Sequence, residues 1–330
     1  MNNIIAYGGI TTIPLYNCSR FSPAEWSLRD GMKRPILGSI SMIYGIVTIV
    51  IYFPVKLALI DKDYCHISCF KIMAFLAIID DLSLVVNSII TGYLSIEGAV
   101  FCTHPVLIYI AGMFGLGLWG CCCITVLILV LNRIIDLTNS YLIVLLFKGY
   151  RTFVWLIIPI TYGCYFIAFT KPIAFSSKYF TWFFNPMIME GSDTDYINFA
   201  HTANNLFVVA ITNVTYIVFC FVVNTKMNEM SRQSRSKLLS RQIYTQSTLI
   251  CLVNQVASAI YVVMNYMELP QWVTTLGHIL WQISHGCPVF IYLTMNMTIR
   301  KTALKKIGVS RLHSIFSSYE ETIYTFSSFR

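Results

Sequence analysis

Asp80 and Asp81 stand side by side in the otherwise apolar segment Phe70–Leu94. Two adjacent carboxylates there could relay protons, hold an ion or form a polar node between helices. On an insertion scale each Asp at a span's centre costs roughly 2.5–3.5 kcal/mol, whereas each Leu, Ile, Phe or Val returns roughly 0.3–0.6. The thirteen such residues of Phe70–Leu94 return about 4–8 kcal/mol, so the segment breaks even. It is therefore expected inside a bundle, with its acids turned from lipid. Neighbours on a helix point about 100° apart, so the two acids cannot share one partner equally.

His278, Gln282 and His285 are spaced three, four and seven apart and fall on one helical face. With Asp80 they could imitate a membrane zinc hydrolase. Against this, no H-E-x-x-H occurs and the sequence shows no compact ligand set. Lining an internal cavity is the use expected of them, with no metal, no cofactor and no catalytic residue. The same segment has no Lys for a retinal Schiff base.

Aromatic and amide groups gather at one end of several apolar segments: Tyr109, Met113 and Phe114; His201, Asn204 and Asn205; Tyr261 and Asn265; Trp272 and Trp281. Apolar walls with a few polar anchors suit a small-molecule cavity. Trp and Tyr also collect at membrane interfaces, and Asn bonds neighbouring helices, without any ligand. At the opposite end Leu131-Asn132-Arg133 closes a long uncharged stretch. Arg133 either snorkels to headgroups or acts as a switch. Between Asn224 and Arg241 five basic residues, Arg235 among them, meet one Glu. Such a loop attracts anionic lipid or docks an acidic partner. Arg300, Lys301, Lys305 and Lys306 repeat the theme on an amphipathic helix expected along the membrane.

The elements that position these groups follow from composition. Apolar residues make up 56% of the 330 and charged residues 12%, about half the share usual in globular chains. A soluble protein, a disordered or collagenous chain, a coiled coil and a small disulfide scaffold are all excluded. Seven windows reach the roughly 20 apolar residues a span needs: Pro35–Ile60, Phe70–Leu94, His104–Leu131, Thr152–Thr170, Phe199–Val223, Ile243–Met267 and Val273–Met297. Tyr141–Phe147 is too short for an eighth. Met1–Leu15 lacks the basic start and apolar core of a signal peptide, so the first span is expected to act as its own insertion signal.

Seventeen of the 23 Lys and Arg fall in the odd-numbered connections and the C-terminal end, and six on the other side. The positive-inside rule then puts the N-terminus outside and the tail in the cytoplasm, although Lys33 and Arg34 abut the first span on the outer face. The net charge of +8 is thus a topology signal, and nucleic acid is not an expected partner. The expected fold is an all-α seven-transmembrane bundle. Its parts are an extracellular segment 1–34, a bundle 35–297 and a cytoplasmic tail 298–330.

Of eleven cysteines only Cys18 and Cys102 fall on the outer side, where oxidation is favoured. They either form a bridge that ties the N-terminal segment to the top of the third span or remain two free thiols; the bridge is the expectation. Asn17-Cys18-Ser19 is an outer glycosylation sequon.

The order of several short words resembles the nematode serpentine chemoreceptors of class T, a G-protein-coupled-receptor-like family. They include Tyr16-Asn17-Cys18, Glu25-Trp26, Arg29-Asp30-Gly31, Pro35-Ile36-Leu37-Gly38, Cys69-Phe70-Lys71-Ile72-Met73, Phe101-Cys102-Thr103-His104-Pro105, Gly117-Leu118-Trp119, Leu131-Asn132-Arg133, Leu146-Phe147-Lys148-Gly149-Tyr150-Arg151-Thr152 and Phe183-Phe184-Asn185-Pro186. The resemblance covers about Tyr16 to Lys301. It implies a plasma-membrane receptor of sensory neurons, on cilia, that detects environmental chemicals and signals through a heterotrimeric G protein. Beside rhodopsin-like receptors, Asp80 is similar to the buried helix-two acid, Arg133 to the helix-three switch and Trp155 to the helix-four tryptophan. The pattern also departs: Lys171–Phe199 has no Cys, the sixth span has no Trp-x-Pro, and Cys287-Pro288-Val289-Phe290-Ile291-Tyr292 replaces Asn-Pro-x-x-Tyr.

A ligand-bound population shift of spans five to seven, opening the inner ends near Arg133 and Arg235, is the expected mechanism. The rivals are a transporter or ligand-gated channel using Asp80 and Asp81, a hydrolase on the histidines, and a subunit that only partners another receptor.

Overall fold

The pattern of exposed side chains separates lipid-facing from bundle-facing surfaces. The helix α3, Pro35–Leu59, exposes Ile36, Ile40, Ile43, Val47 and Val50 and buries Ser41, Gly45, Thr48, Tyr52 and Val55 on its other side. Apolar exposure on that scale is unfavourable in water and ordinary against hydrocarbon. The computed structural model describes residues 2–189, 193–229, 249, 252–264, 267 and 269–308; Asn265 and Arg235 lie outside them.

Two short helices, α1 Asn2–Tyr7 and α2 Pro23–Asp30, precede the bundle. Ser22 caps α2 reciprocally with Glu25, satisfying two end N–H groups at once; those hydrogen bonds lower the Glu25 carboxyl's pKa. After α3, the second rod is α4 Ser68–Leu84, a π-helical turn Val85–Ile90 and α5 Thr91–Glu97. Gly98 ends it in the left-handed region at φ 72°, the usual helix stop. Next come α6 Pro105–Thr138, α7 Ser140–Phe147 and α8 Arg151–Phe169. Helix α9 is Phe199–Glu229, α10 covers Leu252–Met264, α11 is Gln271–Met295 and α12 is Met297–Lys306.

Helices α3, α6, α8 and the Phe199–Val222 part of α9 are each long and apolar enough to cross a membrane. The rod α4 to α5, the described part of α10, and α11 complete the seven-transmembrane bundle. The segment Tyr141–Phe147 forms most of the separate short helix α7.

Helix α6 is buried almost all round and its glycines let neighbours approach. A Cβ on Gly117 would sit 2.9 Å from the Gly163 carbonyl of α8, and one on Gly163 would sit 2.8 Å from the Gly117 carbonyl. Small residues at such crossings bring backbones together where no water drives association. A Cβ on Gly112 would overlap the Ile173 carbonyl, because the connection after α8 crosses the bundle at that point.

That connection folds into a hairpin, β1 Ala174–Ser176 and β2 Thr181–Phe183, paired antiparallel with Phe175 opposite Trp182. Phe180 in its turn holds φ 52°, a strained conformation for a bulky residue. The hairpin is sewn down by hydrogen bonds: Ser177 N–H donates to the Ala99 carbonyl at 3.1 Å, Arg34 Nε to the Ser177 carbonyl at 2.8 Å, and Trp182 Nε1 to Thr91 Oγ1 at 2.9 Å.

Cys18 and Cys102 are disulfide-bonded, with Cα atoms 5.5 Å apart. The bond fixes the N-terminal segment over the start of α6. Trp26 Nε1 donates to the Cys18 carbonyl at 3.2 Å, and Tyr16 packs against Phe101, Tyr109 and Tyr196. Burial among these rings raises the Tyr16 hydroxyl's pKa.

Candidate functional site

The apolar core at the Cys18–Cys102 end of the bundle holds a cavity lined by Gly115, Leu116 and Trp119 of α6, Ile173, and Trp182 and Phe183 of β2. Phe184, His201, Tyr261, Met264 and Trp281 complete the lining. It leaves about 510 Å³ of atom-free space, of which water-sized molecules can centre in about 40 Å³. Among the described residues no Lys, Arg, Asp or Glu lines it. Two lining residues carry a buried polar atom without a hydrogen-bond partner, His201 Nδ1 and Trp281 Nε1, and the Tyr261 hydroxyl lies beside that of Thr181. An orphaned buried polar atom costs about 1–3 kcal/mol, and two beside one cavity suit a polar guest.

The hydrogen bonds behind the cavity settle what those atoms offer. Trp119 Nε1 can only donate and lies 2.9 Å from Asn205 Oδ1. The Asn205 amide nitrogen therefore points to His201 Nε2, 3.3 Å away. Nε2 must accept, which leaves the proton of neutral His201 on Nδ1. Trp281 Nε1 is a donor and Tyr261 Oη can donate as well. Donors of His201 and Trp281 are thus buried beside an aromatic cavity, an arrangement suited to a neutral molecule bearing acceptor atoms.

Of the residues singled out in sequence, Tyr261 lines this cavity. Asn205 and Asn204 stand behind it: Asn204 Oδ1 accepts from Tyr162 at 3.1 Å, and its nitrogen donates to Asn205 Oδ1 at 3.1 Å. Tyr109 is instead packed under the N-terminal segment against Tyr16, and Met113 is buried in the same apolar core. His278 and Gln282 belong to an interhelical node. Gln282 Nε2 donates to Ser41 Oγ at 2.6 Å and to the Asn87 carbonyl at 2.7 Å, and lies 3.0 Å from His278 Nε2.

Asp80 and Asp81 part company. Asp80 Oδ2 accepts from Tyr52 at 2.8 Å, and Oδ1 lies 2.8 Å from His285 Nδ1. Asp81 pairs with Lys56 of α3. Tyr52, which completes one of these networks, is not conspicuous in the sequence, because aromatic residues recur in every span; Trp119 stands in a quoted word, but its hydrogen bond to Asn205 is not legible there. At the opposite end of α6 from the cavity, Asn132 Nδ2 donates to Ser68 Oγ at 2.9 Å, and Arg133 is largely buried, 3.9 Å from Asp136 one turn on.

The whole chain has relatives. Residues 3–315 match the family described as Serpentine type 7TM GPCR chemoreceptor Srt. The chain is also 27% identical over 298 residues to Serpentine receptor class T-55 of Caenorhabditis elegans, covering 90% of this chain and 81% of that protein.

Proposed function

This chain belongs to the Srt family of serpentine seven-transmembrane chemoreceptors, and on that premise we propose that it receives a compact, neutral, acceptor-bearing molecule and signals to a heterotrimeric G protein. The observation that carries the reading is the aromatic cavity with two unpartnered donors buried beside it, His201 Nδ1 and Trp281 Nε1, and the Tyr261 hydroxyl in its lining. One water needs about 10–15 Å³ on the same measure, so about 40 Å³ holds only a few heavy atoms. A ketone, ester, nitrile or small heteroaromatic ring has the size and polarity.

In this reading residues 1–34 are extracellular, 35–297 form the bundle and 298–330 face the cytoplasm, with the chain in the plasma membrane of sensory-neuron cilia. The basic residues crowding the odd-numbered connections support that orientation. The stimulus binds one arrangement of α9, α10 and α11 better than another and shifts the population. A tenfold bias needs only about 1.4 kcal/mol, within reach of one buried hydrogen bond. Asn204, Asn205 and Trp119 hold the cavity wall, and the inner ends near Arg133 and Arg235 engage the G protein.

The test is a panel of small volatiles applied to cells expressing the chain, with calcium as readout. For an active compound, Trp281→Phe and Tyr261→Phe keep the ring shape and remove a donor, and each is expected to raise the half-maximal concentration about five- to a hundredfold. Unchanged potency in both variants would put the ligand elsewhere.

A further inference from the structure

The polar cluster below the cavity holds three chemically distinct metal donors from three helices. One ligand atom each of Asp80 on α4, Cys122 on α6 and His285 on α11 lie within 4.8 Å of one another. All three residues are at least 98% buried. Tyr52 and the Asp80–His285 contact satisfy part of the set, yet His285 Nε2, the Ser83 hydroxyl one turn from Asp80 and the Tyr292 hydroxyl have no partner. Carboxylate, thiol and imidazole are thus gathered in a sealed core, where uncompensated polar groups are costly.

We propose that Asp80, Cys122 and His285 bind a zinc-class divalent ion that clasps α4, α6 and α11. The donor set selects the ion. Thiolate and imidazole suit a borderline-soft metal, whereas magnesium and calcium want six or more oxygens. Charge agrees: a divalent cation, one carboxylate and one thiolate sum to zero, which removes the penalty for burying a net charge. On binding, the Cys122 thiol releases its proton to solvent and forms a metal–sulfur bond. The proton on His285 Nδ1 moves to Nε2, so that Nδ1 takes the ion, and the Asp80 carboxylate binds beside it. The oxidation state of the metal does not change. Tetrahedral bonds of 2.0–2.3 Å put donors about 3.5 Å apart, so side-chain rotation closes the remaining gap. Tyr52 stays on Asp80 Oδ2 and orients it, as outer-shell partners do.

Cobalt(II), a coloured substitute for zinc, tests this on the purified full-length chain in lipid nanodiscs, without any stimulus. The background carries Cys65→Ser, because Cys65 is exposed beside His66. The expected result is one cobalt per chain, with a sulfur-to-metal charge-transfer band that zinc displaces. Cys122→Ser should abolish the band, and Asp80→Asn should weaken binding more than about tenfold. X-ray absorption of the zinc-loaded background protein needs no variant at the site and should find one sulfur among nitrogen and oxygen ligands. No charge-transfer band, a band unchanged by Cys122→Ser, or a shell without sulfur would overturn the proposal. Each outcome is independent of whether the cavity above takes a small molecule.

Discussion

Adjacent acids that diverge by 100° must find different partners, and Asp80 and Asp81 do so: one meets Tyr52 and His285, the other Lys56. That divergence was legible because a carboxylate in a span costs too much to stand alone. The partners were not, since Tyr52 and Lys56 are brought near only by the packing of α3 on α4. Removing one member of a half-buried pair strands the other's charge, so Asp81→Asn is expected to lower the unfolding free energy by about 1 kcal/mol. Adding Lys56→Met should restore most of it; a double variant as unstable as the two losses summed would mean that the pair is not coupled. At the inner end, Arg133→Ala should abolish ligand-evoked calcium signals while leaving surface expression intact, and undiminished signals would remove Arg133 from the mechanism. The Arg133–Asp136 contact is long and exposed on its Asp136 side, which makes it a weak restraint, so Asp136→Asn should raise basal signalling at most about fivefold.

Helices were the readable elements. A twenty-residue apolar run has few alternatives in a membrane, and the bounds of α3 differ from the expected window by one residue. The hairpin was hidden: its strands are three residues each, too short for period-two alternation to register. Its hold on the bundle comes from contacts such as Trp182 with Thr91, 91 residues apart. Those hydrogen bonds, together with the Cys18–Cys102 bridge, stand where the usual bridge to the second outer loop is impossible for want of a Cys. Trp182→Phe keeps the ring and removes the donor, so it should destabilise the hairpin by about 1 kcal/mol and speed hydrogen exchange at residues 174–183; unchanged exchange would mean that Thr91 is not an anchor. On the other face Lys306 of α12 pairs with Asp61 at 2.5 Å and holds that carboxyl below its ordinary range. A depressed carboxylate pKa contributes stability above the unfolded value and loses it as pH falls through the folded one. Protection of α12 from exchange should therefore persist from neutral pH to about 4 and fade only below it. Asp61→Asn should lose that protection at neutral pH, and equal protection there would dismiss the pair.

Composition alone placed the whole molecule in a membrane, because 12% charged residues cannot coat a soluble surface of this size. The order of spans and the family followed from periodic hydropathy and short words. The cavity did not, since it is assembled from α6, the hairpin, α9, α10 and α11, and no one segment contains its pattern. The proposed direction of signalling depends on that cavity opening outward while Arg133 faces inward. Tagging both termini on intact cells and adding a protease that cannot cross the membrane measures this directly. The account predicts that the N-terminal tag alone is clipped, with the C-terminal tag cut only after permeabilisation. Clipping of both tags in intact cells, or of the C-terminal tag alone, would contradict it.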